Sequence, residues 1–255
     1  MAASSGRERG STIGDNTACQ PPPRLLPEPL RALAAGLIAC CAAVVAAGAV
    51  VAAGKSHGNS LDQPIDSYLR GQLAADHAVL QQIMNIGPLV AYVLAAAAVA
   101  VAIACRRGLS AIALAVICVP VAYVVTEAVL KPLVNERIAN FLTYPSGHTE
   151  AVFCLAAVIA VLQLNAPSAR MPRLPGILLF VLTIAIGCAV AVAVIALNFH
   201  YFTDTVAGAA VACAVALLTA FGLDTPRMRR WLTWPSRRVP ESDLITFSRS
   251  DPSSR

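Results

Sequence analysis

ILLFVLTIAIGCAVAVAVIAL, Ile177 to Leu197, decides how the rest of the chain is read. It contains no charged residue and only one hydroxyl, so it has no polar face to turn toward water. As a helix it is about 30 Å long, the thickness of a bilayer's hydrocarbon core. Five more apolar runs of similar size lie on either side: Leu33–Ala53, Ile86–Cys105, Leu109–Leu130, Thr149–Leu164 and Val206–Leu223. In lipid every backbone N–H and C=O must be paired within its own segment, which excludes open strands. The sequence therefore predicts an all-α polytopic membrane protein with six transmembrane helices. Its many Ala, Gly and Ser residues suit close helix–helix approach.

Composition agrees. Of 255 residues 57% are hydrophobic and 13% charged, too little charge to cover the surface of a soluble domain. The formal net charge of +5 is modest and gives no reason to expect a nucleic-acid partner. Seven of the eight cysteines (Cys40, Cys41, Cys105, Cys118, Cys154, Cys188, Cys213) fall in or beside apolar runs, and Cys19 in the polar N-terminal stretch. They read as small packing residues rather than as disulfides or metal ligands. The first apolar run follows a long proline-bearing stretch without a clear cleavage site, so it reads as a retained span.

Three regions follow: a disordered cytoplasmic tail (1–30), a six-span membrane domain (31–223) and a basic cytoplasmic tail (224–255). In that last tail Arg229-Arg230-Trp231 and Trp234 are suited to anionic headgroups. Residues 54–85 carry Ile65, Tyr68, Leu69, Leu73, Leu80, Ile83 and Met84 at near-helical spacing among polar residues. They predict one interfacial amphipathic helix or a pair. With the N-terminus inside, fifteen Lys and Arg residues fall on the cytoplasmic side. Only Lys55, Arg70, Lys131 and Arg137 fall opposite.

The chemically unusual residues converge on that second, non-cytoplasmic face. Lys131 ends the third span and Arg137 follows it; Tyr144-Pro145-Ser146-Gly147-His148-Thr149 opens the fourth; Asn198 to Asp204 links the fifth to the sixth. Ionisable residues gathered at span ends on one side make a candidate site. Lys131 and Arg137 bring positive charge. Ser146 and Gly147 stand at a helix N-terminus, where free N–H groups and the helix dipole favour an anion. His148 and His200 can supply an acid and a nucleophile. Asp204, four residues after His200, can fix its tautomer and stabilise the imidazolium.

Pro145-Ser146-Gly147-His148, with Lys131 and Arg137 before it and His200 and Asp204 after it, resembles the type 2 phosphatidic acid phosphatase family, whose superfamily includes bacterial acid phosphatases and vanadium haloperoxidases. The resemblance spans roughly residues 60–220. It implies that His200 is the nucleophile of a phosphohistidine intermediate, that Asp204 orients it, and that His148 protonates the leaving group. Lys131, Arg137, Ser146 and Gly147 would bind the phosphoryl oxygens. No metal or other cofactor is implied, and membrane lipids are the implied partners.

Two departures stand out. The family's first motif is K-x6-RP, whereas here Lys131-x5-Arg137 is followed by Ile138. Its third motif is SR-x5-H-x3-D, and Ala193 and Val194 occupy the Ser-Arg positions, so a phosphate-binding arginine is missing from that register. Asn198 is the nearby neutral donor. The expected activity is hydrolysis of a lipid phosphate or pyrophosphate (phosphatidic acid, phosphatidylglycerol phosphate or a polyprenyl pyrophosphate) on the extracytoplasmic face. Abundant Ala and Arg with only two lysines point to a bacterial plasma membrane. A phosphotransferase, or a non-catalytic member that binds lipid or a partner, are the alternatives.

Overall fold

The computed structural model describes residues 24–85, 109–164 and 173–232. The expected span Ile86–Cys105 and most of both tails lie outside the described residues. Five of the six expected spans are seen as helices long and apolar enough to cross a membrane: Glu28–Ala52, Leu109–Val134, Gly147–Leu164, Leu174–Ala196 and Phe202–Leu223. The protein is an all-α integral membrane protein.

In chain order the helices are α1 (Glu28–Ala52), α2 (Asp62–Leu73), α3 (residues 77–85), α4 (Leu109–Val124), α5 (Lys131–Val134), α6 (Gly147–Leu164), α7 (Arg173–Ala196), α8 (Phe202–Leu223) and α9 (Pro226–Leu232). A π-helical turn, Val125–Leu130, joins α4 to α5, so the two form one continuous rod. Such turns carry an extra residue and are frequent at functional sites. Asn135, at φ 52°, ends the rod with a left-handed residue. A two-residue hairpin follows, pairing Arg137 with Leu142 and Ile138 with Phe141.

Helices α6 and α8 form the centre and pack on each other, with α4, α1 and α7 around them. Half of the apolar window of α6 and of α8 is buried, against 11% for α1, so α1 is the more lipid-facing helix. The main core joins Leu114 and Cys118 of α4, Val158 of α6 and Val215 and Ala216 of α8. Gly208 of α8 allows the closest approach: a Cβ there would stand 2.5 Å from the Ser146 carbonyl oxygen. The α8 backbone therefore lies directly against the turn that opens α6.

The ends of the bundle are tied by polar clamps. At one end the buried Asp224 carboxylate accepts from the Leu25 and Leu26 N–H groups at 2.7 and 2.8 Å. At the other, Asp62 and Asp66 of α2 accept from the Thr203 and Phe202 N–H groups in the first turn of α8. These two acids explain why α8 begins at Phe202 rather than at the apolar boundary Val206. Its polar first turn is capped from another helix and needs no water. The stretch 54–85 does form helices, α2 and α3, as its periodicity predicts.

Candidate active site

Three segments meet at the end of the bundle covered by α2: α5 with the hairpin, the Tyr144–His148 turn, and the α7–α8 junction. The turn is anchored from both sides. Tyr144, fully buried, donates its hydroxyl to the Val45 carbonyl of α1 at 2.6 Å, and burial raises its pKa. Ser146 N–H donates to the Asp204 carbonyl at 3.0 Å, which ties the start of α6 to the start of α8.

Ser146 is the N-cap of α6. Its Oγ faces the Thr149 N–H at 3.4 Å and the Thr149 hydroxyl at 3.2 Å, and its carbonyl accepts from Glu150 N–H. The next two N–H groups, of Gly147 and His148, make no hydrogen bond among the described residues. They are the free donors of a helix N-terminus, where an anion is favoured. Ser146 itself is fully buried, so its hydroxyl acts first as a cap.

Around this N-terminus stand the catalytic candidates. The His148 and His200 rings lie 6.0 Å apart, centroid to centroid, with 64° between their planes. His200 is buried, and its Nδ1 is 3.4 Å from Asp204 Oδ2. That oxygen also accepts from Tyr201 N–H at 3.0 Å, and Asp204 is completely buried. With Nδ1 turned to the carboxylate, His200 presents Nε2 as its free edge.

Lys131 starts α5, and its Nζ is 2.6 Å from Glu127 Oε1, one turn back in the π segment. A Cβ on Gly147 would come within 3.0 Å of the same Glu127 oxygen, so the pair sits against the mouth of α6. Arg137 and Asn198 are placed differently. Arg137 is exposed on the hairpin, with Nε donating to Asn135 Oδ1 at 3.0 Å. Asn198 is exposed at φ 61°, where it closes the C-terminus of α7. Among the described residues no hydrogen bond joins either to a site histidine. At the Ser-Arg positions, Ala193 and Val194 are fully buried, and Val194 packs with Met84, Val152 and Val190.

Several site residues are not marked by the sequence motifs. Glu127 is the partner of Lys131, and its i,i+4 spacing was the available signal. Asp62 and Asp66 come from α2, more than 130 residues before the turn they cap. Glu136, beside Arg137, is 1% exposed. Its backbone carbonyl accepts from Thr143 N–H, and its Oε2 lies 3.4 Å from the Thr143 hydroxyl. No group of three or more His, Cys, Asp or Glu stands in metal-holding geometry among the described residues.

The fold is similar to the crystal structure of the first transmembrane PAP2-type phosphatidylglycerolphosphate phosphatase, from Bacillus subtilis. The TM-score is 0.52 at 16% identity, over 75% of this chain and 95% of that one. Among curated proteins, none matches the chain in sequence. The profile described as the PAP2 superfamily matches residues 90–225, more than half of the chain and all of the site from Lys131 to Asp204. The chain belongs to the PAP2 superfamily.

Proposed function

We propose that this protein is an integral-membrane lipid phosphate or pyrophosphate phosphatase that works through a phosphohistidine on His200. The carrying observation is the file Asp204–His200–His148, beside the two free N–H groups of Gly147 and His148. The phosphoryl group rests on those donors, with Lys131 as the nearby cation. His200 Nε2 attacks phosphorus, and the bond from phosphorus to the leaving oxygen breaks. His148 gives that oxygen a proton. Asp204 holds the Nδ1 proton and stabilises the positive charge that develops on the His200 ring. Water, deprotonated by His148, then attacks the phosphohistidine, releases phosphate and restores both rings. The 3.4 Å His200–Asp204 contact is loose for an ion pair and is expected to shorten with phosphate bound.

The charge distribution supports an extracytoplasmic mouth: with the N-terminus inside and six spans, fifteen basic residues fall on the cytoplasmic side and four on the side of this mouth. Phosphatidic acid, phosphatidylglycerol phosphate and polyprenyl pyrophosphate are the substrate candidates. The test is phosphate release by detergent-purified protein over that panel, beside His200→Ala. The reading requires at least one substrate whose release drops about a thousandfold or more in the variant. A panel without His200-dependent release sinks it. That outcome would favour a non-catalytic, lipid-binding member, for which buried Val194 and exposed Arg137 are the supporting observations.

A further inference from the structure

Asp204 has an oxygen that the catalytic file leaves unused. Oδ2 serves His200 and Tyr201, while Oδ1 is buried with no hydrogen-bond partner among the described residues. A buried carboxylate oxygen without a partner is costly, and it leaves the carboxylate free to tilt. A second buried carboxyl, that of Glu136, lies within hydrogen-bonding reach of the Asp204 carboxylate. Two buried carboxylates cannot sit side by side without a proton between them.

We propose that Glu136 is a positioning residue: it is held protonated and donates its O–H to Asp204, which fixes the carboxylate that orients His200. This rests on the phosphatase reading above. The described surroundings agree. The Thr143 hydroxyl faces Glu136 Oε2 at 3.4 Å, and the negative charge of Glu136 is felt at Tyr144 and Tyr201. Asp62 adds a negative charge from α2, and its two oxygens are already taken by Asn59 and Thr203. The ion pairs among the described residues are Arg24–Glu28, Arg70–Asp66, Lys131–Glu127 and His200–Asp204, and none supplies a cation to Glu136. Burial first, and the Asp204 charge second, push its pKa up to about 10, consistent with a retained proton. The proton never leaves Glu136 in the cycle, so this residue is distinct from the acid and base.

Two variants separate donation from mere filling. Glu136→Gln keeps a neutral donor of the same shape, whereas Glu136→Leu keeps bulk and removes the donor. With Leu, Asp204 becomes more basic and holds the His200 imidazolium longer, so the acid limb of kcat/KM moves to higher pH. In the same variant kcat falls about ten- to a hundredfold with KM little changed. With Gln the limb stays where it is in the wild type and kcat stays within about threefold. The proton is read independently of activity, as the protonated-carboxyl C=O stretch in the infrared difference between wild type and Glu136→Gln at neutral pH.

A band present in the wild type and lost in Gln, together with the shifted limb in Leu, is the expected result. Absence of the band, a Gln variant as impaired as Leu, or an unmoved acid limb in Leu would each overturn the proposal. If no lipid phosphate is hydrolysed by the wild type, the phosphatase reading is what fails. The infrared difference still decides whether Glu136 carries the proton, and its absence there counts against the pairing itself. Should Leu not fold, the Gln profile and the band remain decisive.

Discussion

Gly208→Ala tests the contact on which the site geometry depends. By helix propensity alone the change is favourable, by up to about 1 kcal/mol. Against that, the new Cβ would lie 2.5 Å from the Ser146 carbonyl oxygen and 3.3 Å from the Glu150 nitrogen. Both are backbone atoms and cannot rotate away. To reach an ordinary 3.4 Å contact the Ser146 turn must withdraw about 0.9 Å from α8. The Ser146 N–H bond to the Asp204 carbonyl, now 3.0 Å, is then stretched toward breaking. The overpacking costs roughly 1–3 kcal/mol, so the clash outweighs the propensity gain. The consequence for catalysis is larger, because a displacement near 1 Å between the free N–H groups and His200 is worth about a hundredfold in rate. Gly222→Ala, in the same helix with nothing within 4 Å of its added Cβ, is the control. Melting in detergent and phosphate release are measured together on both variants. The reasoning is refuted if Gly208→Ala melts with Gly222→Ala and turns over like the wild type.

Val194→Arg, which restores the family's arginine by register, is expected to damage the protein rather than improve it. Val194 has no exposed surface and packs on Met84 and Val152, so a guanidinium there is both too large and unpaired. A loss of more than about 3 kcal/mol is expected, read as lower folded yield and melting temperature. A folded variant with faster phosphate release would contradict this placement of residue 194. Glu136 predicts a pH dependence of stability. Its pKa is raised on folding from an ordinary 4.5 to about 10, so the folded state binds the extra proton between those limits. Stability from this group is full below pH 4.5 and declines as pH rises toward 10, by up to about 1.4 kcal/mol per unit. Melting curves from pH 5 to 9 should therefore slope downward in the wild type and flatten in Glu136→Gln. Equal slopes would show that Glu136 carries no proton.

What the sequence revealed follows from which signals are local. Apolar length is local, and it located the five described spans to within about five residues of their ends. The differences sit where polar residues extend a helix past its apolar run, as Thr203 and Asp204 do at the start of α8. His148, His200 and Asp204 were legible because family spacing marks them, and they do come together. Asp62 and Asp66 were not legible, since acids on an amphipathic helix look like a solvated face until α8 is seen ending on them. Glu136 lies beside Arg137, which the motif favours. The hairpin turns the arginine out and the glutamate in, and only the two-residue strand pairing decides that alternation. Gly208 was invisible for another reason: its importance is the absence of an atom opposite Ser146.

The missing arginine and the buried glutamate bear on one electrostatic question. A phosphate site must hold a group of negative charge, and here the nearby cation Lys131 is already matched by Glu127. Asp204, Asp62 and Asp66 surround the His200 turn as further acids, with Arg70 against only the last. An ionised Glu136 would add one more negative charge with no ion-pair partner among the described residues. A proton on Glu136 removes that charge and converts the residue into a donor for Asp204. On the proposed mechanism the phosphoryl group is held mainly by the α6 N-terminus, with the free Gly147 and His148 N–H groups, beside Lys131 and the positive charge that develops on His200. Losing an arginine from such a site costs ~1.5–3 kcal/mol of phosphate stabilisation. A neutral Glu136 spares the site a further negative charge, so on this proposal the chemistry without an arginine at position 194 depends more heavily on that proton than it would with the arginine in place.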